Sequence, residues 1–449
     1  MLRMFFRRIR PGQLIVLVFL GIILLGAGLL CLPAAARSGR PTPFLTSLFT
    51  ATSATCVTGL IRVDTGTHWT MFGQVVILLL IQVGGLGFMT IACLFFFALR
   101  RRIGLRQRMV LAQALGSDTY SGIVSLVRNI LRGTAAVEGV GALILFFRFL
   151  PEFGFGRALW YGVFHSVSAF CNAGFDVLAD VDAGGSLCRY VTDPVVNFTI
   201  MALIIIGGLG FAVWGDIRHH RRFSRLSVYS RLVVIITTVL IFGGAGVFAA
   251  LEWNNPNTIG DLTVPQKLMA ALFQSVTLRT AGFATFDQNA LSDVSKAASD
   301  LLMLVGGSSG STAGGVKTAT VGVILLSVWS TARGRTSVHV MKRRIPRQAV
   351  ENASALFILV LLLSGLGAAF LSIADHVSLE NALYETISAL CTVGLTTGIT
   401  SSLGTASQII LIVLMFFGRL GIMTISVGFM AANRAEERVS YAETKIMIG

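Results

Sequence analysis

The chain has 449 residues, of which 54% are hydrophobic and only 13% charged, and its formal net charge is +15. A soluble globular protein carries about 25% charged residues, so the composition argues against a soluble enzyme or a nucleic-acid-binding domain. Apolar stretches of about 20 residues recur along the whole length, which is typical of a protein that crosses a membrane several times. The 48 glycines indicate closely packed helices or backbone that itself forms a functional surface.

The first predicted element is a spanning helix that follows a basic N-terminal segment. The apolar run 14–32 is long enough to cross a bilayer, and no convincing small-residue cleavage site interrupts it. We therefore expect a membrane helix, with a cleaved signal peptide as the alternative. The six cysteines show no C-x-x-C spacing, so neither a zinc site nor a disulfide is predicted.

A short polar segment that ends in glycine plus a large apolar residue occurs four times along the chain. The four glycines are separated by 115, 108 and 112 residues. The four glycine segments are 57–60, 172–175, 280–283 and 392–395. A period this regular predicts a repeat architecture.

Each repeat has the same four parts. A long apolar run is followed by a moderately apolar stretch that is too short to span, then by the glycine segment, and last by a second long apolar run. The opening runs are 13–33, 123–150, 229–251 and 350–374, the short stretches are 43–56, 157–171, 264–278 and 378–391, and the closing runs are 70–99, 194–217, 298–331 and 405–431. This order predicts a helix, a re-entrant half-helix, an extended loop and a helix in each unit.

A second glycine pattern lies in the closing runs and begins 25, 33, 24 and 24 residues after the glycine of each segment. It occupies 84–88, 207–211, 306–310 and 418–422. Two patterns in fourfold register predict an all-α polytopic membrane protein, with four pseudo-symmetric helix, pore-helix, filter and helix repeats around one central pore. The predicted units are 1–108, 109–226, 227–347 and 348–449, the last with a C-terminal tail.

The distribution of charge predicts the orientation in the membrane. Eight spanning helices would place both termini on one side, where we count 25 Lys and Arg against 6 Asp and Glu, and the other side has 9 against 14. The ionisable residues left inside predicted membrane segments are Lys317, Arg419 and Glu138. An excess of Lys and Arg marks the cytoplasmic side, so both termini are expected there and the half-helices enter from outside. The basic charge is then a topology signal in contact with anionic lipid, and no nucleic acid is expected as a partner.

The glycine segments are the predicted ion-binding site. Non-helical backbone at membrane depth is tolerated only where it is buried in protein or lines water, and a ring of carbonyl oxygens can replace the hydration shell of K⁺. Half-helices that enter from outside would add the negative ends of four helix dipoles. We expect K⁺ at the backbone carbonyls of Val57, Thr58, Gly59, Asn172, Ala173, Gly174, Thr280, Ala281, Gly282, Thr392, Val393 and Gly394. The alternative is an ordinary turn before each glycine.

The closing run of the third unit contains small residues where a stable helix is not expected. Residues 306–315 are five glycines, three serines, one threonine and one alanine, and each glycine costs a helix up to about 1 kcal/mol relative to alanine. We predict a broken helix with an intramembrane gating loop over 306–317. The candidate gating residues are Gly306, Gly307, Ser308, Ser309, Gly310, Ser311, Thr312, Gly314, Gly315, Lys317 and Arg419. A close helix crossing is one alternative, and a phosphate-binding loop, which lacks the βαβ context, is another.

Arg419 stands where the other three units have Gly85, Gly208 and Gly307. A charge at the bilayer centre is costly, so we expect Arg419 to be a fixed positive charge below the filter that contacts the gating loop. A structural bridge to Glu138 is the alternative. For Lys317, both snorkelling to the cytoplasmic surface and anchoring of the loop stay open.

Over nearly its whole length the chain resembles the membrane subunit of bacterial Ktr potassium-uptake systems, in the Trk/Ktr/HKT superfamily. The resemblance rests on the four filter glycines, the segment 306–318 and Arg419, and the segment 392–395 itself resembles the Thr-Val-Gly-Tyr part of the potassium-channel filter. Trk-type relatives carry an extra N-terminal helical hairpin, whereas the first filter segment here already stands near residue 57, which favours the Ktr branch. A Trk-branch relative is the alternative.

The resemblance implies potassium uptake across the bacterial cytoplasmic membrane, by a homodimer with one pore per protomer and with Na⁺ as a candidate activator. It also implies a separate cytosolic nucleotide-binding ring of the Ktr type as regulator, and no cofactor in this chain itself. Two other function classes fit the sequence less well. Alternating-access cation carriers usually have inverted repeats, whereas these four units run in the same sense. A membrane enzyme is not expected, because the six histidines form no nucleophile-base or H-E-x-x-H pattern.

Overall fold

The computed structural model describes residues 11–87, 123–178, 185–335 and 337–421. Within these ranges the chain is mostly helical. Several predicted features lie outside the described residues: the N-terminal basic segment, the second half of the first closing run, the basic segment 100–122, the end of the fourth closing run and the C-terminal tail.

The described ranges contain long helices that alternate with short ones. In chain order the α-helices are α1 Pro11–Leu30, α2 Phe44–Cys56, a one-turn helix Thr65–His68, α3 Met71–Leu86, α4 Ile123–Phe170, α5 Pro194–Leu209, α6 Phe211–His220, α7 Val228–Glu252, α8 Val264–Thr277, α9 Asp293–Met303, α10 Thr318–Ala332, α11 Arg347–Asp375, α12 Leu379–Leu390 and α13 Thr405–Leu420. Single 3-10 turns lie at Pro33–Ala35, Cys188–Tyr190, Phe223–Arg225 and Gln288–Ala290.

One antiparallel hairpin in the basic segment after α10 was not predicted. Strands β1 His339–Val340 and β2 Arg343–Arg344 are joined by Met341 and Lys342. Both turn residues have positive φ, 46° and 66°, which is the backbone of a two-residue hairpin turn. Neither residue is the Asn or Gly that usually marks such a turn, so no residue pattern indicated the hairpin.

Local sequence signals start the predicted half-helices. Pro43 precedes α2, and Ser378 caps α12 by accepting a hydrogen bond from the backbone N–H of Asn381. At α8 the backbone N–H of Thr263 donates to Gln266 Oε1 at 3.1 Å, in a capping box. In the second unit the opening helix and the half-helix run together as α4, with a break at Gly154, whose φ is 72°. The half-helices therefore occupy the predicted places in all four units.

The prediction of one continuous closing helix was wrong for the second unit. There α5 and α6 meet at an angle of 94° at Gly210, whose φ is 90°. The corresponding glycines Gly87 and Gly421, with φ of 77° and 81°, end α3 and α13. In the third unit α9 and α10 are separated by residues 304–317, where the broken helix was expected. In the first, second and fourth units the described helix therefore ends at a glycine with positive φ, which cannot continue a right-handed helix.

Among the described residues, which leave out parts of the first and fourth closing runs, continuous spans number fewer than the eight spanning helices expected for the chain. Among the described residues, three helices are long and apolar enough to cross a membrane, namely Val127–Phe170, α7 and α11, and the bent pair α5 and α6 makes at most four. The shorter apolar helices are Ile15–Leu30, α3, α10 and α13. Large apolar side chains on the long helices are exposed, for example Phe242 at 67% and Ile373 at 76%. Exposed apolar surface of this kind is suited to lipid.

Neighbouring units pack against one another in the same way around the molecule. Within units, α1 packs against α2, α7 against α8, and α11 against α12. Between units, the closing helix contacts the helix that carries the next glycine segment: α3 contacts α4, α5 contacts α8, α9 contacts α12, and α13 contacts α2. The last contact returns from the fourth unit to the first, so the four units form a closed ring.

The bend at Gly210 generates a testable expectation for stability. A Cβ built on Gly210 would lie 2.6 Å from Ser308 Oγ, and a non-glycine residue at positive φ costs about 1–2 kcal/mol. Gly210→Ala should therefore lower the melting temperature of the detergent-purified protein by several degrees. Gly215→Ala is the matched control, because Gly215 lies inside α6 with no atom within 4 Å of a built Cβ. Equal melting temperatures for the two variants would show that the bend does not depend on glycine.

Candidate functional site

The four glycine segments meet at one place. Each segment glycine lies against the segment of the next unit. A Cβ built on it would approach a backbone carbonyl oxygen there, that of the residue directly before the neighbouring segment's glycine. The pairs are Gly59 with Ala173 at 2.5 Å, Gly174 with Ala281 at 2.7 Å, Gly282 with Val393 at 2.5 Å, and Gly394 with Thr58, whose oxygen the Cβ would overlap. Each segment therefore touches the next, the fourth touches the first, and none of the four glycines leaves room for a side chain.

The four segments also share one backbone conformation. Their first residue is left-handed in every unit: φ is 56° at Val57, 59° at Asn172, 68° at Thr280 and 53° at Thr392. The glycine two residues later also has positive φ: 96° at Gly59, 69° at Gly174, 81° at Gly282 and 91° at Gly394. Left-handed Val and Thr are strained and persist only where their surroundings fix them. The repeat that was predicted from residue spacing is thus present in the dihedral angles.

Hydroxyl groups near the C-terminal end of each half-helix brace its segment, and sequence analysis missed them. In two units a serine hydroxyl accepts from the backbone N–H of the glycine, the pairs being Ser53 with Gly59 at 3.1 Å and Ser388 with Gly394 at 3.0 Å. In the other two a hydroxyl donates to the carbonyl oxygen after the glycine, the pairs being Ser168 with Phe175 at 2.7 Å and Thr277 with Phe283 at 2.6 Å. The available signal was a Ser or Thr five or six residues before each glycine.

All twelve predicted filter residues are brought together and buried. The large apolar residue after each glycine, Leu60, Phe175, Phe283 or Leu395, is at most 1% exposed and packs into the protein. Among the described residues, no group of three or more His, Cys, Asp or Glu side chains could hold a metal ion. The contacts between neighbouring segments are made by backbone carbonyl oxygens, which are neutral.

The second glycine pattern lies directly against the half-helix ends in three of the four units. A Cβ built on the first glycine of the second pattern would overlap a carbonyl oxygen at the C-terminal end of the half-helix in the same unit. That oxygen belongs to the residue four positions before the glycine of the glycine segment. The pairs are Gly84 with Thr55, Gly207 with Phe170, and Gly418 with Leu390. In the third unit Gly306 packs instead against the carbonyl oxygen of Gly314. The 306–317 loop therefore breaks the fourfold symmetry of this layer.

The neck of the 306–317 loop is closed by backbone hydrogen bonds. The N–H of Gly306 donates to the carbonyl of Val316 at 2.8 Å, and the N–H of Thr318 donates to the carbonyl of Gly307 at 3.0 Å. The loop is thus a defined element with paired ends.

The body of the loop is bonded to the broken closing helix of the second unit. The N–H of Ser308 donates to the carbonyl of Gly208 at 3.0 Å, and that of Thr312 to the carbonyl of Gly207 at 3.3 Å. The Ser308 hydroxyl donates to the carbonyl of Leu209, and the carbonyl of Gly310 accepts from the N–H of Phe211 at 2.9 Å. The loop therefore satisfies backbone groups that the break between α5 and α6 leaves unpaired.

The loop also lies against two of the glycine segments. Thr312 Oγ1 donates to the carbonyl of Phe170 at 2.9 Å and lies 3.4 Å from Asn172 Oδ1. A Cβ on Gly314 would overlap Thr392 Oγ1. The small side chains of the loop are therefore what lets it approach the segments of the second and fourth units.

Arg419 joins the loop to the first unit. Its guanidinium donates to the carbonyls of Thr312 and Gly84, and to that of Gly85 at 3.1 Å. Within the described part of the chain it forms no ion pair with Glu138, which instead accepts a hydrogen bond from a glutamine side chain of α3. Arg419 therefore contacts the predicted gating loop, and the bridge to Glu138 is not formed among the described residues. Its role as a fixed charge below the filter stays a prediction.

Lys317 anchors the loop to itself. Its Nζ donates to the carbonyl of Ala313 at 2.8 Å and lies 3.5 Å from that of Gly314. Of the two interpretations left open by the sequence, the structure favours the anchor, because the ammonium group points back into the loop.

Arg279 is a site residue that sequence analysis missed, since its charge had been counted with those outside the membrane. It directly precedes the third glycine segment and is only 7% exposed. Its Nη2 donates to the carbonyl of Gly306 at 3.3 Å and to Thr318 Oγ1 at 3.2 Å. The signal was available, because a charge next to a predicted filter glycine is expected to be buried and functional.

Comparison with known proteins gives a consistent result. The TrkH family of cation transport proteins matches residues 24–438. The chain is 40% identical to the potassium/sodium uptake protein NtpJ of Enterococcus hirae, over 99% of this chain and 98% of that protein. It is 39% identical to the Ktr system potassium uptake protein B of Bacillus subtilis, over 98% and 97%. The crystal structure of the potassium transporter TrkH from Vibrio parahaemolyticus has the same fold, with a TM-score of 0.73 at 17% identity, covering 93% of this chain and 84% of that one.

The serine braces generate a second testable expectation. Ser388→Ala leaves the buried N–H of Gly394 without its acceptor, which costs about 1–3 kcal/mol. We therefore expect a melting temperature several degrees below that of the unchanged protein. Ser402→Ala is the matched control, because the Ser402 hydroxyl bonds a carbonyl at an exposed position, where the change should stay within about 0.5 kcal/mol. If the two variants melt together, the serine does not hold the segment.

Proposed function

The chain belongs to the TrkH family of cation transport proteins, and on that premise we propose that it is the potassium-conducting membrane subunit of a Ktr-type uptake system. Members of this family are transporters, not a family of catalytic enzymes. The observation that carries the proposal is the closed ring of four glycine segments with one shared backbone conformation. A ring of neutral oxygens around one axis is what a dehydrated K⁺ requires.

In this proposal the twelve residues of the glycine segments are the selectivity filter, and K⁺ binds at their backbone carbonyl oxygens. The half-helices support it electrostatically. Each ends at a glycine segment, so the negative ends of four helix dipoles, about half a charge each, are directed at the ring. Only the fourth segment has the Thr-Val-Gly sequence, so discrimination between K⁺ and Na⁺ depends on four unequal segments.

The 306–317 loop is the proposed gate. It lies against the second and fourth glycine segments, and its residues 306–315 have no large side chain that would prevent movement. Arg419 adds a fixed positive charge at the same place and holds the loop to the first unit through the carbonyl of Thr312. Together they would obstruct the ion path until the loop moves, and displacement of the loop would also break the contact to Arg419.

We further propose how the subunit is arranged and regulated. It would lie in the bacterial cytoplasmic membrane with both termini in the cytoplasm, which the excess of Lys and Arg on that side supports. It would work as a homodimer with a separate cytosolic nucleotide-binding ring and with Na⁺ as an activator. Similarity to a protein named for a Ktr system supports partner subunits, because the name describes one component of an assembly.

The test of the proposed function combines growth and flux. A bacterium that lacks potassium uptake should grow at low K⁺ when it expresses this chain together with its partner. Purified protein in liposomes should conduct K⁺ without fixed coupling to a second substrate. A saturating flux with fixed stoichiometry would identify an alternating-access carrier instead.

Crowding in the ring generates a prediction for Gly394. Gly394→Ser adds a side chain where even a Cβ overlaps the carbonyl oxygen of Thr58, so K⁺ affinity and discrimination against Na⁺ should both decrease. Gly398→Ser is the matched control, because Gly398 has a similar φ of 88° but no atom within 4 Å of a built Cβ. Uptake kinetics of K⁺ and Na⁺ measure both variants at equal expression. A Gly394 variant with the kinetics of the control would exclude this glycine from the filter.

The gate generates a second prediction, on the deletion of Ser308 to Gly314. Without the obstruction, K⁺ flux through the chain in liposomes should rise, by about tenfold if closure is stabilised by ~1.4 kcal/mol. The rise should appear in the absence of the cytosolic partner. Gel filtration and the melting temperature of the deletion variant check that it is folded. A folded, inserted deletion variant with the flux of the unchanged chain would show that the loop is no gate.

A further inference from the structure

Arg279 is a buried cation that no carboxylate in the described part of the chain neutralises. It lies between α8 and the third glycine segment, is 7% exposed, and takes part in no ion pair with any described residue. Such a charge is strongly unfavourable unless its hydrogen bonds are well placed. Its partners therefore indicate why an arginine stands there.

Those partners are the two ends of the 306–317 loop. Arg279 Nη2 reaches the carbonyl of Gly306, where the loop begins, at 3.3 Å, and Thr318 Oγ1, just after the loop ends, at 3.2 Å. The Thr318 hydroxyl in turn donates to the carbonyl of Gly306 at 2.8 Å. One guanidinium thus closes a triangle with both ends of the loop, and any displacement of the loop has to occur between these fixed ends.

Arg279 is also connected to two glycine segments, the second and the third. Its peptide bond leads directly to Thr280, the first residue of the third segment. Its carbonyl oxygen accepts from Asn172 Nδ2, in the second segment, at 3.4 Å. Asn172 Oδ1 lies 3.4 Å from the Thr312 hydroxyl of the loop. The neck of the loop, its body and two glycine segments are therefore joined through Arg279 and Asn172.

Little water can reach the Arg279 guanidinium to replace its hydrogen bonds to the protein. The cavity beside it has a volume of about 10 Å³ and is lined mainly by apolar side chains, including Ile204, Ile241 and Val276. That is no more than one water molecule needs. Hydrogen bonds lost at the neck are therefore not replaced by solvent.

We infer that Arg279 is a positioning residue that clamps the neck of the 306–317 loop and couples the position of the loop to the second and third glycine segments. It acts through the loop and does not contact the ion. The inference rests on the proposed gating function and adds to it a fixed hinge and a route from gate to filter.

The test uses Arg279→Lys in the full chain and in the chain deleted for Ser308 to Gly314. Lysine keeps the charge but lacks the planar guanidinium that directs the two N–H groups of Nη2 at the Gly306 carbonyl and Thr318 Oγ1. In the full chain, K⁺ flux in liposomes should rise about tenfold, because a released neck frees the loop. In the deleted chain the same substitution should leave flux within about twofold of the deletion alone, because the element it acts through is gone.

Two further variants make the test specific. Thr318→Val removes one corner of the triangle with little change in volume, and should raise flux in the same direction and non-additively with Arg279→Lys. Arg148→Lys is the matched control, because Arg148 pairs with Asp193 and Glu152 far from the loop, and its flux should equal that of the unchanged chain. The K⁺-to-Na⁺ flux ratio is measured on each, since the clamp predicts that it changes for Arg279→Lys in the full chain only.

Each outcome decides between the hypotheses. Unchanged flux for Arg279→Lys and Thr318→Val, while the loop deletion raises flux, overturns the clamp and leaves the gate. An equal effect of Arg279→Lys in the full and deleted chains also overturns the clamp, because the residue then acts on the filter directly. Unchanged flux on loop deletion overturns the gate and the clamp with it. If Arg279→Lys does not fold, Thr318→Val takes its place. Its effect on flux is then compared in the full chain and in the chain deleted for Ser308 to Gly314.

Discussion

Everything in this molecule depends on four glycines that approach the neighbouring unit more closely than a Cβ permits. At each of them the backbone of one unit lies against a carbonyl of the next, and the fourth contact returns to the first. The half-helices, their serine and threonine braces and the buried apolar residue after each glycine all serve to hold strained backbone in that position. The outer helices then supply the apolar surface that a bilayer requires.

The second constraint is that backbone polar groups inside a membrane need partners. The closing helices of the second and third units are interrupted, which releases carbonyl and amide groups. In the second unit the interruption is Gly210, which has positive φ, and in the third it is the 306–317 loop. Cationic side chains surround that loop. Arg419 and Arg279 reach it from two different units, so its position is fixed by parts of the chain far apart in sequence.

Residue spacing was enough to predict the helical fold class, the half-helices, the glycine segments and the place of the broken helix, because periodic glycine and apolar patterns are local signals. The ninety-degree bend at Gly210 could not be predicted, since a glycine in an apolar run is compatible with a straight membrane helix. The partners of Arg419 and Arg279 were equally out of reach. Both bind backbone carbonyls, and a carbonyl is present at every residue, so the sequence carries no mark of which one is used.

The hydrogen bonds between the loop and the end of α5 have a consequence of their own. The carbonyls of Gly207, Gly208 and Leu209 are satisfied by the Thr312 and Ser308 groups of the loop, as a solvent molecule would satisfy them. A loop that moves away leaves these oxygens to water. If the loop opens as proposed, water replaces the protein groups as hydrogen-bond partners of these carbonyls, and hydration of this layer becomes part of the conformational equilibrium. In the proposed gate, the balance between closed and open states would then depend on water activity as well as on the proposed partner subunit.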